Sequence, residues 1–137
     1  MEKAKLRLVL RAALIALFAL IVLLVGLSFV SDKLLPDELA EWQHRASSGD
    51  FSLADAFGLI FWLGGLTLTF VSMAGLFFYQ RWAAWMLLVV MMVFSLQVIF
   101  SPTVEPGLLS YLGGWADVLS GLILGIAFFT DALASGE

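Results

Sequence analysis

Four long apolar stretches fill most of this 137-residue chain. Residues 12–30, 56–80 and 82–101 contain no charged side chain, and residues 108–130 contain one, Asp117. The hydrocarbon core of a bilayer is about 30 Å thick, and a helix crosses it with about 20 apolar residues. Each stretch is long enough to span a membrane, so the pattern predicts an all-α, four-helix transmembrane bundle.

The composition points to lipid as the solvent of this chain. Hydrophobic residues make up 62% of it and charged residues 13%, against roughly 45–50% and 25% in soluble domains. We expect a single integral membrane domain over residues 1–137, with spans at about 8–30, 56–80, 82–101 and 109–131. The net charge of −4 gives no sign of a nucleic acid partner. Because the chain has no cysteine, thiol redox chemistry and thiolate metal sites are excluded.

Basic residues are distributed unevenly between the loops, which predicts the orientation. Two lie in the first loop, and the other five are Lys3, Lys5, Arg7, Arg11 and Arg81. Short loops rich in Lys and Arg stay in the cytoplasm, so we expect a multi-pass protein of the bacterial inner membrane with both termini cytoplasmic. The first span is expected to remain uncleaved, since its apolar run of about 19 residues exceeds the 7–15 of a signal peptide.

The first outer loop is predicted to contain a short interfacial amphipathic helix at about residues 36–47. Pro36 suits a helix start. Apolar and polar side chains then fall on opposite faces, with Leu35, Leu39 and Trp42 against Asp37, Glu41 and His44. A helix of this kind lies flat at the membrane surface. Further on, Ser52 and Asp55 have the spacing of a capping box that opens span two.

The polar face of this helix could also be read as a metal site. Asp37, Glu41 and His44 have a spacing with which one helix can contribute metal ligands. Metal sites of this type draw ligands from several such helices, and this chain has one. We therefore interpret the face as solvated and expect no metal and no cofactor.

Asp117 is the polar residue that most needs an explanation. It is predicted about two turns into span four, on a face with Gly114 and Gly121 and with Gly125 at its edge. Gly121 and Gly125 have the GxxxG spacing that lets two helices approach closely, so the carboxylate is expected to face a neighbouring helix. Gln97 of span three is predicted at a similar depth, where its amide can hydrogen-bond Asp117.

Two interpretations of this candidate polar site remain open. An acid inside a membrane can handle protons or cations. It can also act as a structural anchor that hydrogen-bonds a partner helix, which is the interpretation we favour from the sequence.

Part of the chain resembles a known group of proteins. The similarity is carried by Arg81-Trp82-Ala83-Ala84-Trp85, by Asp117 and Gly121 in the spacing Asp-x-x-x-Gly, and by Phe128-Phe129. These residues resemble small bacterial inner-membrane proteins with four spans, over roughly the C-terminal half of the chain. The resemblance implies a fold of four membrane helices, but it implies no activity for this chain. Small multidrug exporters have a similar length, but they carry a glutamate in their first span, which residues 12–30 lack.

The sequence shows no nucleophile–base arrangement, so we expect no enzyme activity and no catalytic residues. The first functional hypothesis is an interaction or accessory subunit that binds a membrane-protein partner. Small-residue faces would serve as its docking surfaces: Ala12, Ala16 and Ala19 on span one, and the three glycines on span four. The alternative is a small homo-oligomeric transporter or channel that uses the Asp117 carboxylate.

The predicted topology can be tested with reporter fusions. A reporter at the C-terminus should be active in the cytoplasm, and one inserted near Ser48 should be active outside, because of the distribution of basic residues. Activity of the C-terminal reporter on the outer side would contradict the arrangement of four spans with both ends inside.

Overall fold

The structure, a computed structural model, describes residues 3–47, 49, 52–100 and 105–133. These residues form helices joined by turns and loops, with no strand among them, which confirms the predicted all-α class. In chain order the elements are α1 (Lys3–Ser28), α2 (Ser31–Leu34), α3 (Asp37–Ser47), α4 (Leu53–Phe77), α5 (Arg81–Phe100), α6 (Gly107–Phe129) and a 3₁₀ turn (Asp131–Leu133). By length and composition α1, α4 and α6 can cross a membrane, and α5 contributes a shorter apolar helix, Arg81–Gln97.

The helix boundaries follow local chemistry that the sequence already indicated. The predicted capping box at the start of α4 is confirmed: the backbone N–H of Asp55 donates to the hydroxyl of Ser52 at 3.2 Å, and the N–H of Ser52 donates to the Asp55 carboxylate at 2.9 Å. The predicted spans are displaced by a few residues. The largest difference is in α1, which begins at Lys3 and not near residue 8, because a helix need not stop where its apolar part stops.

A tight turn joins α4 to α5 and requires an unusual backbone conformation at Tyr79. The N–H of Gln80 donates to the carbonyl of Gly75 and that of Tyr79 to the carbonyl of Leu76, both at 2.9 Å. These two bonds form a Schellman motif, which places its C′ residue in the left-handed region and usually has glycine there. Tyr79 occupies that position with φ of 60°, at a cost of about 1–2 kcal/mol for a residue with a Cβ.

The aromatic ring of Tyr79 explains why tyrosine is tolerated at this position. The guanidinium groups of Arg7 and Arg11 lie 4.5 and 5.0 Å from the centre of its ring. Cation–π contacts of this kind contribute about 0.5–2 kcal/mol each. They offset the strain at Tyr79 and attach the turn to the start of α1.

The four long helices pack as two close pairs, α4 with α5 and α1 with α6. In the second pair, the Arg7 side chain donates from Nε to the carbonyl of Ala132 at 3.1 Å, so the start of α1 lies beside the end of α6. Between the pairs, the rings of Trp85 and Phe128 lie 4.9 Å apart, near the start of α5 and the end of α6. Neighbouring helices are therefore antiparallel, and both described ends of the chain lie at the end of the bundle that holds the Tyr79 turn.

The buried core lies at this same end, which we call the turn end. It draws on the first half of α1, the last part of α4, the first half of α5, the last part of α6 and the 3₁₀ turn. Its members are Leu10, Ala13, Leu14, Leu17, Met73, Leu76, Ala83, Ala84, Leu87, Ile123, Ile126, Ala127, Ala132 and Leu133. The opposite end, which we call the open end, holds none of these residues.

Glycine allows close packing in the α4–α5 pair, at Gly65 against the ring of Phe94 and at Gly75. A Cβ added at Gly75 would lie 2.6 Å from the Cβ of Ala83 and 3.2 Å from the ring of Trp82. The Ala83 Cβ is fixed to its backbone, so the helices would have to separate. At Gly64 of the same helix, an added Cβ meets nothing within 4 Å.

This contrast generates a stability prediction. We expect Gly75→Ala to lower the free energy of unfolding by about 1–3 kcal/mol, because it overpacks the α4–α5 contact. The matched control Gly64→Ala should leave stability unchanged or raise it, since alanine favours the helix. Unfolding in mixed micelles, followed by circular dichroism, measures both, and equal stability of the two variants would contradict the packing described.

Candidate functional site

A cleft of about 500 Å³ lies between α4, α5 and α6, towards the open end. One side of it is apolar and is formed by Trp62, Leu87, Val90, Met91 and Phe94. The polar residues along it are Thr69, Ser95, Gln97, Glu105, Asp117 and Ser120. We call this feature the Asp117 cleft.

The cleft brings together both residues of the predicted polar site, Asp117 and Gln97. No hydrogen bond joins them in the part of the chain that the structure describes. The two residues were predicted at a similar depth, but their positions along the helices differ. Asp117 is the eleventh residue of α6, and Gln97 is the seventeenth of the twenty residues of α5. With a rise of 1.5 Å per residue, Asp117 lies about 15 Å from its helix start and Gln97 about 5 Å from its helix end. The predicted hydrogen bond would have to cross roughly 10 Å.

That Asp117 faces a neighbouring helix stays a prediction. Asp117 is exposed along the cleft. At its level residues of α5 and α6 line the cleft, whereas Trp85 and Phe128 are in ring contact nearer the turn end. The acid is the eleventh of the 23 residues of α6, so it lies near the middle of that helix, almost three turns from its start.

The predicted packing glycines of α6 have no neighbour within the described chain. A Cβ added at Gly114, Gly121 or Gly125 meets nothing within 4 Å. The helix packs on α1 through its opposite face, which carries the buried Ile123 and Ile126. Docking of the glycine face on another chain stays a prediction.

Sequence reasoning missed two residues of the cleft. Glu105 lies two residues before the start of α6 and lines the cleft. Ser120 follows Asp117 by three residues, a spacing that puts two side chains on adjacent parts of a helix surface. That spacing was the available signal. It is a weak one, because a serine hydroxyl in a membrane helix often donates to a backbone carbonyl of its own helix.

Three polar residues of the cleft belong to α6 and the segment just before it. From the open end towards the middle of the helix they are Glu105, Asp117 and Ser120. Together with Gln97 they form a polar strip that descends from the end of the bundle to its middle. None of the cleft residues that the structure describes is basic. The strip therefore presents carboxylate, amide and hydroxyl groups that can accept hydrogen bonds or hold a cation.

Away from the cleft, the helix α3 offers no comparable site. Among the described residues, no group of three or more His, Asp or Glu side chains is placed to hold a metal ion. Glu41, one of the three possible ligands considered from the sequence, instead accepts from Arg45 at 3.0 Å. Both partners are exposed, so this pair contributes little to stability.

The exposure of Asp117 predicts that the acid is not needed for folding. We expect Asp117→Leu to change the free energy of unfolding by no more than about 0.5 kcal/mol, as for other sites without buried contacts. Leu76→Ala, at a fully buried position, should cost about 2–5 kcal/mol and serves as the positive control. Unfolding in micelles compares them, and a large loss for Asp117→Leu would restore the structural interpretation of the acid.

Comparison with known proteins adds no assignment to this geometry. The chain matches no protein-family model, no curated protein and no solved structure. The resemblance to small four-span proteins of the bacterial inner membrane therefore stays a prediction, and function has to be argued from the bundle and its cleft.

Proposed function

We propose that this chain is a four-span protein of the bacterial inner membrane with both termini in the cytoplasm. Three helices meet the length and hydropathy needed for a span. The fourth, α5, has 20 residues, which rise about 30 Å and so match the hydrocarbon thickness. Its close antiparallel contact with α4 supports a return across the same layer.

The charge distribution supports this orientation. Lys3, Lys5, Arg7 and Arg11 begin α1, and Arg81 begins α5. All five lie at the turn end of the bundle, where a cytoplasmic surface would hold them. The opposite end carries the loop with α2 and α3, in which Leu39 and Trp42 are exposed. Those side chains suit a helix that lies in the outer interface with its apolar face towards lipid.

Within that membrane, we propose that the protein is a non-enzymatic interaction or accessory subunit. The observation that carries the proposal is that the fully buried core cluster lies towards the turn end, while many large apolar side chains elsewhere on the long helices are exposed. Membrane helices associate through close packing of small residues. Ala12, Ala16 and Ala19 are exposed on α1, and the glycine face of α6 is open.

A second candidate function is a small homo-oligomeric transporter or channel. It is favoured by the Asp117 cleft, since an acid at the middle of α6 continues a polar strip from the open end. The two candidates differ in the role of Asp117. Transport requires the carboxylate and predicts flux in liposomes that Asp117→Asn abolishes, whereas subunit docking requires the small-residue faces.

The subunit proposal predicts a specific response to enlarged glycines. Gly121→Leu combined with Gly125→Leu should fold normally, because both positions face open space, but it should lose its complex with the partner through steric exclusion. Native mass spectrometry after gentle solubilisation measures the complex. Gly64→Leu, at an equally open position on α4, is the matched control and should keep the partner. Retention of the same complex by both variants would contradict docking through α6.

A further inference from the structure

Ser120 is a buried polar side chain whose hydrogen-bonding capacity is unused in the described chain. Its residue is 7% exposed and lies on the Asp117 cleft. In α4, Thr67, Thr69 and Ser72 each donate to the carbonyl four residues earlier, at 2.8–2.9 Å. Ser120 makes no such bond with any residue that the structure describes. A buried hydroxyl without a hydrogen-bond partner is unfavourable, so a group in the cleft that bonds to it is favoured.

The charges of the cleft indicate the sign of that group. Asp117 and Glu105 both border it, and no described cleft residue carries a positive charge. A carboxylate at membrane depth is costly unless a cation or a hydrogen-bond donor accompanies it. The cleft therefore favours a cationic donor and disfavours a zwitterionic lipid headgroup, whose phosphate would meet two acids and no base.

The apolar side of the cleft indicates the chemical character of the uncharged part of the ligand. Trp62 and Phe94 offer aromatic surfaces, and Met91 adds an adaptable apolar contact. Aromatic faces attract both cations and aromatic rings. A ligand that uses the whole cleft therefore has an apolar or aromatic body and one charged end.

The volume of the cleft limits the size of its occupant. At about 500 Å³ it falls within the 300–1,000 Å³ typical of small-molecule sites. One turn of a helix about 10 Å wide already occupies roughly 400 Å³. A partner helix is therefore too large, and a small molecule fits.

We propose that the Asp117 cleft binds a small amphipathic organic cation, a protonated amine on an apolar or aromatic body. The amine is held between Asp117 and the hydroxyl of Ser120, with Glu105 at the mouth, and the body lies against the aromatic side. This inference goes beyond the subunit role, and it does not require transport, because it concerns binding at equilibrium.

The test uses a matched pair of probes, 4-phenylbutylammonium and the neutral 4-phenyl-1-butanol, near pH 7. Full-length protein in phosphatidylcholine nanodiscs is titrated by equilibrium dialysis, and empty nanodiscs are subtracted. We expect saturable binding of the ammonium at one site per chain and at least tenfold weaker binding of the alcohol. Asp117→Asn should weaken ammonium binding at least tenfold, and Ser120→Ala severalfold.

Asp131→Asn is the matched control, because Asp131 borders a separate cavity of about 270 Å³ at the turn end. It should bind as the unmodified protein does. If Asp117→Asn fails to fold by circular dichroism, Glu105→Gln provides the second acid variant and should weaken binding at least threefold. Adding phosphatidylethanolamine to the nanodiscs should leave the affinity unchanged.

Three results would overturn the proposal. They are no saturable binding above empty nanodiscs, equal affinity for the ammonium and the alcohol, or an equal loss in Asp131→Asn. Loss of binding on addition of phosphatidylethanolamine would also overturn it and would assign the cleft to the amine of a lipid headgroup. None of these results bears on the complex lost by the glycine variants, so failure of the binding proposal and failure of the subunit proposal are distinguishable.

Discussion

Close interlocking of helices at the turn end is the contact on which the rest of this structure depends. Lipid tails are as apolar as leucine side chains, so membrane helices gain little from mere apolar contact and associate where their surfaces fit. Here the fit is provided by Gly75 against Ala83 within one pair and by Arg7 bonded to Ala132 in the other. These contacts lie at the turn end, together with the buried core.

Tyr79 links the two pairs and shows how local strain is offset by a tertiary contact. A glycine at this position would relax the backbone, but it would remove the ring that Arg7 and Arg11 cover. The strain of about 1–2 kcal/mol is of the same size as two cation–π contacts. The same two arginines carry part of the basic charge that predicts a cytoplasmic location. One cluster thus joins the turn, the start of α1 and the proposed orientation.

The sequence predicted the elements of this fold better than their contacts. Helix starts and ends depend on local chemistry, and the capping box at Ser52 and the short turn after Phe77 were readable from neighbouring residues. Packing faces depend on which helices meet. The GxxxG pair of α6 looked like the contact, yet Gly65 and Gly75 of α4, neither of which has a glycine four residues away, make the close approaches. The positions of Asp117 and Gln97 along their helices, and the cleft that both line, depend on how the helices pack, which no local pattern encodes.

The geometry of α6 keeps the two proposed interactions apart. With about 100° per residue, Asp117 lies roughly 60° from Ser120 on one side and 40° from Gly121 on the other. Ser120 is buried towards the cleft, whereas Gly121 faces open space. A partner helix on the glycine face would therefore cover the outer flank of Asp117 without filling the cleft. It would also exclude lipid and water from that flank, and a lower local dielectric strengthens the attraction between the carboxylate and a cation. Docking of a partner and binding of an amine should on this basis reinforce each other, and by linkage each raises the affinity for the other by the same factor.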